Sequence, residues 1–378
     1  MTPSAQRGAV VAAVDIGGTK IAAALVDSDG RVLQRARRPT PAGTGAGAGA
    51  AGGGSGAGAG AGIRTGAGAG ADAGAGAGSG SESAVDLRSA GGSASTAGSA
   101  STVGPGAEVV LGAVLDAVAE LSGHERWGEL VGVGLGSAGP VDAAAGTVSP
   151  VNIPAWREFP LTAAVGRHPA LAGLPVTLLG DGSAFAEAEH WLGAAAGYRH
   201  ALCMVVSTGV GAGLVLDGAV HLGVTGNAGH LGHIVVDMNG EPCACGGRGC
   251  LEGIASGTAI ARFAREAGWQ PEGEDASAAA VAAAAERGDP IALAAFDRAG
   301  QALAAGIAST AALVEIEAVV IGGGVAQAAP LLFPPLTRHL ETYAALPFLH
   351  GIRLHQARLG SDAGLIGAAR AALRVSHP

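Results

Sequence analysis

The sequence has few of the features that mark membrane, secreted or nucleic-acid-binding proteins. Among its 378 residues there is no uninterrupted apolar run of about 18 residues, the length that a membrane-spanning helix needs. The 22 basic residues are outnumbered by 31 acidic ones, which gives a net charge of −9, and the longest basic run is Arg35–Arg38. Both features argue against binding to nucleic acid. The first residues lead directly into a strand-like segment and not into a signal-peptide cleavage site. We therefore expect a cytoplasmic protein that binds neither a membrane nor nucleic acid.

Cysteine is also scarce, but three of the four cysteines lie close together. Cys243, Cys245 and Cys250 fall within eight residues, a spacing too tight for a disulfide framework, whereas Cys203 lies in an apolar run and is predicted to be a core residue. Together with His233, ten residues upstream, they offer one nitrogen and three sulfur ligands, the closed tetrahedral set of a structural Zn²⁺. The alternative is three buried or redox-active cysteines. The glycines between them favour zinc, because they let the loop fold around an ion.

Large apolar residues are almost absent from residues 42–107, which are mainly Gly, Ala, Ser and Thr. Such a segment cannot offset its ordering entropy by burial, so we interpret it as a disordered insertion. Collagen is excluded because the GAGAGA pattern has a period of two and almost no proline, and charged residues at Asp72, Glu82 and Arg88 disfavour silk-like stacking. Without the insertion roughly 310 residues remain, which fits two domains of ordinary size.

The rest of the chain contains two similar sets of predicted elements. Before the insertion, AVVAAVDIGG, TKIAAALVD and RVLQRARR resemble an antiparallel meander, and after it come an amphipathic helix, EVVLGAVLDAVAEL, and a buried strand, VGVGLG. The second set begins with the strands ALCMVVS and GLVLDGAV and continues with helices from Gly257 and Pro290 and the strand AVVIGGG. We therefore expect two α/β domains around a central cleft, residues 1–41 with 108–180 and residues 181–378, with a C-terminal helix that can pack back on the first domain.

Three glycine-rich turns follow predicted strands. They are DIGGTK at Asp15–Lys20, STGVGAG at Ser207–Gly213 and VIGGGVAQ at Val320–Gln327. DIGGTK is not a P-loop, because it lacks the first glycine and the spacing and is followed by a strand instead of a helix. Glycines at a strand-to-strand turn let backbone N–H groups approach phosphate oxygens, and Asp15 can hold a hydrated Mg²⁺ there. For DIGGTK alone, an ordinary hairpin turn is the alternative.

In this order, the three turns resemble the phosphate-1, phosphate-2 and adenosine motifs of the actin-like ATPase and sugar kinase superfamily. Within it, the sequence is similar to the ROK family through SAGPV, NIPAW, GNAGHLGH and CACGGRGCLE, beginning at Ser137, Asn152, Gly226 and Cys243. The resemblance covers the chain except the insertion. It implies a two-domain actin-like ATPase (ribonuclease H-like) α/β fold with a zinc-binding loop, and ATP-dependent phosphorylation of a hexose or hexose derivative, as in the glucokinase branch. Since only fourteen residues precede Asp15, we do not expect the winged helix of the repressor branch.

The resemblance also implies roles for individual residues. Asp181 matches the general base of the family motif N-D-[AG], although an aspartate before a helix is more often an N-cap. Glu252 matches the glutamate that holds sugar hydroxyls, although it could be a solvated residue at a helix start. Asn152, His230 and His233 complete the sugar site. ATP and Mg²⁺ are assigned to the three turns, through Asp15, Gly17, Gly18, Thr19, Lys20, Thr208, Gly209, Gly211, Gly322, Gly323 and Gly324.

Two residues depart from the family pattern. Gly180 stands where the family usually has Asn, and His230 stands where A-G-E-x-G-H has Glu. Because imidazole donates and accepts whereas a carboxylate only accepts, we expect a shift in preference at the C1 or C2 end of the sugar. The same departures leave open a catalytically weak ROK protein that binds sugar and acts through partners. A chaperone-like or filament-forming ATPase is disfavoured, since neither needs a zinc loop beside the cleft. Assembly as a homodimer or homotetramer is implied only by the resemblance.

Overall fold

The computed structural model describes residues 8–41 and 105–376, and the predicted insertion lies outside these ranges except for its last three residues. The described residues form two five-stranded sheets and one two-stranded hairpin. The first sheet contains β1 (Val10–Ile16), β2 (Lys20–Asp27), β3 (Val32–Pro39), β4 (Leu130–Ser137) and β7 (Val176–Gly180). The hairpin is β5 (Val141–Asp142) with β6 (Thr147–Val148). The second sheet contains β8 (Ala201–Val206), β9 (Val210–Leu216), β10 (Ala219–His221), β11 (Ala318–Gly322) and β12 (Arg353–Gln356).

Both sheets have the same topology. The strand orders are β3-β2-β1-β4-β7 and β10-β9-β8-β11-β12, and in each the first three strands are antiparallel and the last two pairings are parallel. The meander predicted before the insertion is therefore confirmed. The central strands β1 and β8 are almost wholly buried, which agrees with their nearly continuous apolar sequences. The chain thus builds one sheet pattern twice, and a glycine turn follows the central strand each time.

Nine α-helices surround these sheets in the described part of the chain. Their bounds are α1 (Pro105–Leu121), α2 (Leu161–Gly166), α3 (Asp181–Trp191), α4 (Glu252–Ala255), α5 (Gly257–Glu266), α6 (Ala278–Glu286), α7 (Pro290–Val314), α8 (Ala329–Tyr343) and α9 (Ala363–Ser376). The longest, α7, begins where the Asp289 carboxylate accepts from Ile291 N and Ala292 N, each at 2.9 Å. Within the described ranges, no helix has the length and apolar character needed to cross a bilayer.

Three predicted boundaries were wrong. GLVLDGAV is two strands, β9 and β10, because Asp217 (φ 53°) and Gly218 (φ 78°) form a tight turn between them. The first helix begins at Pro105, inside the predicted insertion, and Trp156 Nε1 donates to the carbonyl oxygen of Ala107 at 3.2 Å. Finally, α3 begins at Asp181 itself, whereas the sequence placed this aspartate before the helix.

Helices α3 and α9 pack closely on each other and on the sheets because glycines stand at their contacts. A Cβ on Gly182 would overlap with Ala212 of β9, and one on Gly367 would overlap with Ala184 of α3. The apolar face of α9 also packs on β1 and β2, in a cluster that includes Val11, Ala24, Leu365, Ala369 and Leu373. These contacts bring the first residues of α3 and α9 to the ends of the central strands. The boundary between the two expected domains stays a prediction.

Candidate active site

The first glycine turn, DIGGTK, connects β1 to β2 and is closed by its own backbone. Gly17 N donates to Lys20 O at 2.9 Å, and Thr40 Oγ1 donates to Gly17 O at 2.6 Å. Thr40 was not among the predicted site residues, since nothing in its local sequence indicates a contact 23 residues away. The predicted residues Thr19 and Lys20 are exposed at the tip. The turn therefore presents a fixed backbone and two solvent-facing side chains to a ligand.

Asp15, at the end of β1, lies against the start of α9. A Cβ on Gly364 would be 2.9 Å from Asp15 Cγ and Oδ2, so only glycine leaves room for the carboxylate. Burial raises the pKa of Asp15, and the charge of Lys20 partly opposes this. Asp15 is half-buried, and its carboxylate oxygens lie next to the first glycine turn. This position suits Mg²⁺, which prefers carboxylate oxygens and retains several waters. Gly364 was also missed from the sequence, because it follows Asp15 by more than 300 residues.

The second and third glycine turns meet at the carboxyl ends of β8 and β11. Gly323 has φ +90°, and a Cβ there would overlap with the carbonyl of Val206, while Gly324 approaches Ser207 Oγ. Ser207 O accepts from the backbone N–H of Gly257, at the start of α5, at 2.7 Å. The turn that carries Thr208, Gly209 and Gly211 therefore lies beside the turn that carries Gly322, Gly323 and Gly324. This is the arrangement expected when two turns share one nucleotide.

Asp181 stands at the start of α3, between the two sheets. Gly180 is the N-cap, in an extended conformation, and the Asp181 carboxylate accepts from the adjacent Gly182 N at 2.7 Å. The alternative role of Asp181 as the N-cap is therefore wrong. Its Oδ1 would lie 3.8 Å from a Cβ on Gly211, so the carboxylate faces the second phosphate turn.

Asp181 is exposed to solvent, although many protein atoms surround its carboxylate. Burial raises its pKa to about 6; the hydrogen bond from Gly182 N opposes the rise, and the negative charges of Asp15 and Glu252 add to it. The group is thus ionised at neutral pH and weakly basic, which suits a general base.

The GNAGHLGH loop docks on the SAGPV segment of the first half. The Asn227 side chain accepts from Val141 N at 2.9 Å and donates to Val141 O at 2.6 Å. A Cβ on Gly139 would be 2.9 Å from His230 Cε1, so the imidazole packs directly on that glycine. Burial by the surrounding protein lowers the pKa of His230, and the nearby His233 lowers it further. The negative charge of Glu252 raises this pKa and so partly offsets both effects. Asn227 was missed because only the folded chain shows that its amide meets a distant backbone.

Asn152 lies beside the first phosphate turn. A Cβ on Gly18 would be 2.7 Å from Asn152 Cγ, so the amide packs against Gly18. The predicted sugar ligand is thus also a neighbour of the nucleotide turn.

His233, Cys243, Cys245 and Cys250 come together at one point. Their ligand atoms lie within 4.8 Å of one another, and both the His233 Nδ1 to Cys243 Sγ and the Cys245 Sγ to Cys250 Sγ distances are 3.7 Å. With Zn–S bonds of about 2.3 Å, the edges of a tetrahedron are about 3.8 Å long. The donor set and its spacing therefore fit a structural zinc ion. Cys203, in contrast, is fully buried in β8, as predicted.

Glu252 begins α4, two residues after Cys250, and its carboxylate reaches the second phosphate turn. Oε2 accepts from Val210 N at 2.9 Å, and a Cβ on Gly209 would overlap with it. The structure thus places the predicted sugar ligand against the second glycine turn. Glu252 is also close enough for its charge to act on Asp181 and His230.

The duplicated sheets, with glycine turns and carboxylates between them, define a sugar kinase of the actin-like ATPase fold. The chain belongs to the ROK family, whose family model matches residues 102–375. Over 275 residues it is 37% identical to a glucokinase of Thermotoga maritima, and the match covers 69% of this chain and 84% of that one. It is 30% identical over 371 residues to a glucokinase of Streptomyces coelicolor, and this match covers 94% of this chain and 95% of that one.

Among solved structures, the chain is similar to a ROK family glucokinase from Streptomyces griseus in complex with glucose and AMPPNP. The TM-score is 0.71 at 29% identity, and the match covers 97% of this chain and 99% of that one. The predicted family, the predicted fold and the predicted class of enzyme, an ATP-dependent sugar kinase, are thereby confirmed.

Proposed function

We propose that this chain transfers the γ-phosphoryl group of ATP to a hydroxyl of glucose or a closely related hexose. The observation that carries the proposal is the position of Asp181. Its carboxylate faces Gly211 of the second glycine turn and is open to solvent, and its pKa is raised to about 6 by burial and by the charges of Asp15 and Glu252. The relatives named glucokinase support a hexose as the acceptor.

In the proposed reaction, Asp181 accepts the proton of the attacking hydroxyl. The sugar oxygen forms a bond to the γ-phosphorus, the bond from that phosphorus to the departing ADP oxygen breaks, and the proton passes to the Asp181 carboxylate. Phosphoryl transfer depends mainly on positioning and on stabilising charge, so the turns that hold the phosphates matter as much as the base.

ATP is assigned to the three turns, in agreement with the sequence prediction. The first turn contributes the backbone of Gly17 and Gly18 with Thr19 and Lys20. The second and third turns contribute Thr208, Gly209, Gly211, Gly322, Gly323 and Gly324. A Mg²⁺ ion bound with ATP supplies positive charge against the phosphate oxygens, and Asp15 is the carboxylate proposed to hold its hydration shell.

The sugar is assigned to Asp181, Glu252, His230 and His233, with Asn152 at the side of the first turn. His233 directs Nδ1 toward Cys243, so zinc ligation there leaves Nε2 protonated and able to donate to a sugar hydroxyl. The proposed zinc ion is structural and fixes the loop that carries His233 and Glu252.

A second candidate is a catalytically weak ROK protein that binds a sugar and regulates a partner. Gly180 and His230 favour it, because both residues alter the sugar side of the site while the nucleotide turns remain intact. We also propose that the protein is cytoplasmic and, on the resemblance alone, that it forms a homodimer or homotetramer.

The two candidates are separated by measuring ADP release with ATP and Mg²⁺ over a panel of sugars: glucose, mannose, fructose, N-acetylglucosamine and N-acetylmannosamine. Turnover of at least one hexose in the ordinary range for enzymes, about 1 s⁻¹ or faster, is expected for the kinase. Sugar binding by calorimetry without turnover would favour the regulator.

A further inference from the structure

The carboxylate of Glu252 occupies a backbone donor of the second phosphate turn. Its Oε2 accepts from Val210 N at 2.9 Å and lies so close to Gly209 that a Cβ there would overlap with it. The neighbouring Ser207 N is already bonded to Gly209 O at 2.8 Å. The contact with Glu252 therefore places a negative side chain where the turn would otherwise offer an N–H group to an anion.

The backbone around Glu252 is held firmly, so only its side chain is free to turn. Leu251 N donates to Ile234 O at 3.0 Å, and Gly253 N donates to Cys250 O at 3.0 Å. Leu251 is fully buried. From this position the carboxylate accepts from Val210 N, and its charge acts on Asp181 and His230.

These contacts let one carboxylate affect the binding of both substrates. In the proposed function the phosphates of ATP approach the turn at Thr208–Gly211, while the sugar hydroxyls approach Glu252. A carboxylate that stays on the turn repels the phosphates and occupies Val210 N. A carboxylate that turns to accept from sugar hydroxyls removes both obstacles.

We propose that Glu252 couples the two binding sites: without sugar it masks the Val210 N–H, and bound sugar draws it away so that the turn accepts the phosphates of ATP. This coupling rests on the proposed function, since it needs both substrates in the cleft. Coupling between two binding sites is reciprocal, so the nucleotide strengthens sugar binding by the same factor. Glu252 is thus a positioning residue for ATP as well as a ligand of the sugar.

The test measures affinity and not turnover. The Kd of a non-hydrolysable ATP analogue with Mg²⁺ is determined by calorimetry, with and without a saturating amount of the sugar that is turned over best in the panel. We expect sugar to lower the Kd of the analogue by about 5-fold or more in the unmodified protein. Glu252→Gln keeps the shape of the side chain without its charge, and Glu252→Ala leaves Val210 N free.

Both variants should bind the analogue more tightly than the unmodified protein when no sugar is present, and sugar should then change the Kd by less than about 2-fold. Glu266→Gln is the matched control, because Glu266 lies at the far end of α5, exposed and paired only loosely with Arg262. It should behave like the unmodified protein. Zinc content and the melting temperature of each variant show that the loop remains folded.

The proposal is overturned if sugar leaves the Kd of the analogue unchanged in the unmodified protein, or if neither variant binds the analogue more tightly without sugar. Either result is distinct from failure of the proposed function, which would appear as absence of turnover over the whole sugar panel. A protein that turns over a hexose without this coupling remains a kinase in which Glu252 serves the sugar alone.

Discussion

The carboxylate of Asp15 lies directly against Gly364, at 2.9 Å from the position that a Cβ would occupy there. Asp15 is the next-to-last residue of the central strand of the first sheet, and Gly364 is the second residue of the C-terminal helix. The position of the proposed Mg²⁺-binding carboxylate therefore depends on a glycine from the other end of the chain.

Gly364→Ala is expected to displace the Asp15 carboxylate and to lower kcat/KM for ATP by about 10-fold to 100-fold, since small misplacements at a reacting centre have effects of this size. Steady-state kinetics at several Mg²⁺ concentrations measures the loss. Gly112→Ala is the matched control, because Gly112 lies within α1 with open space around it and alanine favours a helix. Equal kinetics in the two variants would show that Asp15 does not need this position.

Activity should rise with pH through the pKa of Asp181. The base must be ionised to accept a proton, and burial raises its pKa to about 6, so kcat is expected to be low at pH 5, half-maximal near pH 6 and constant above about pH 7. A profile of kcat with saturating substrates between pH 5 and 8 measures this. A kcat that stays constant down to pH 5 would contradict the assignment of this carboxylate as the base.

Zinc should contribute to folding stability. Cys245→Ser is expected to lower the zinc content measured by mass spectrometry and to reduce the melting temperature by about 5 °C or more, because the binding energy of a structural ion is part of the folding energy. Cys203→Ala provides the contrast: it opens a small cavity in the buried strand β8 and should lower stability with zinc content unchanged. Full stability of the Cys245 variant without metal would exclude a structural zinc ion.

His230 is expected to influence which sugar is preferred. His230→Glu restores an acceptor-only side chain beside Gly139, so kcat/KM for glucose should increase relative to N-acetylglucosamine and N-acetylmannosamine. The KM for sugar should also become less dependent on pH on the acid side, where a histidine with a lowered pKa gains its charge. Unchanged ratios and an unchanged KM profile would mean that His230 does not contact the sugar.

Local sequence was enough to predict the turns, the cysteine cluster and most elements, because each is encoded by neighbouring residues. The short apolar segments located the meander, and the C-x-C-x₄-C spacing located the three cysteines that meet at His233. One boundary was wrong although its local signal was strong: Asp217 and Gly218 form an Asp-Gly turn, the pair typical of two-residue hairpins, inside a segment predicted as one strand.

Contacts between distant segments could not be predicted in this way. Gly364 beside Asp15, Asn227 on Val141 and Glu252 on Val210 each join elements that are separated along the chain. No local pattern encodes such a contact, since it depends on how α3, α9 and the zinc loop pack. These three contacts determine how the predicted residues are oriented.

The central claim is that Asp181 is the base of a sugar kinase, and Asp181→Asn tests it most directly. An amide fits the same space but does not accept the proton, so kcat should fall by about 100-fold or more while ATP and sugar are still bound with their original affinities. Stability at pH 7 should not decrease, since the raised pKa means that the charged form is disfavoured in the folded protein. A variant with unchanged kcat and unchanged binding would contradict the account.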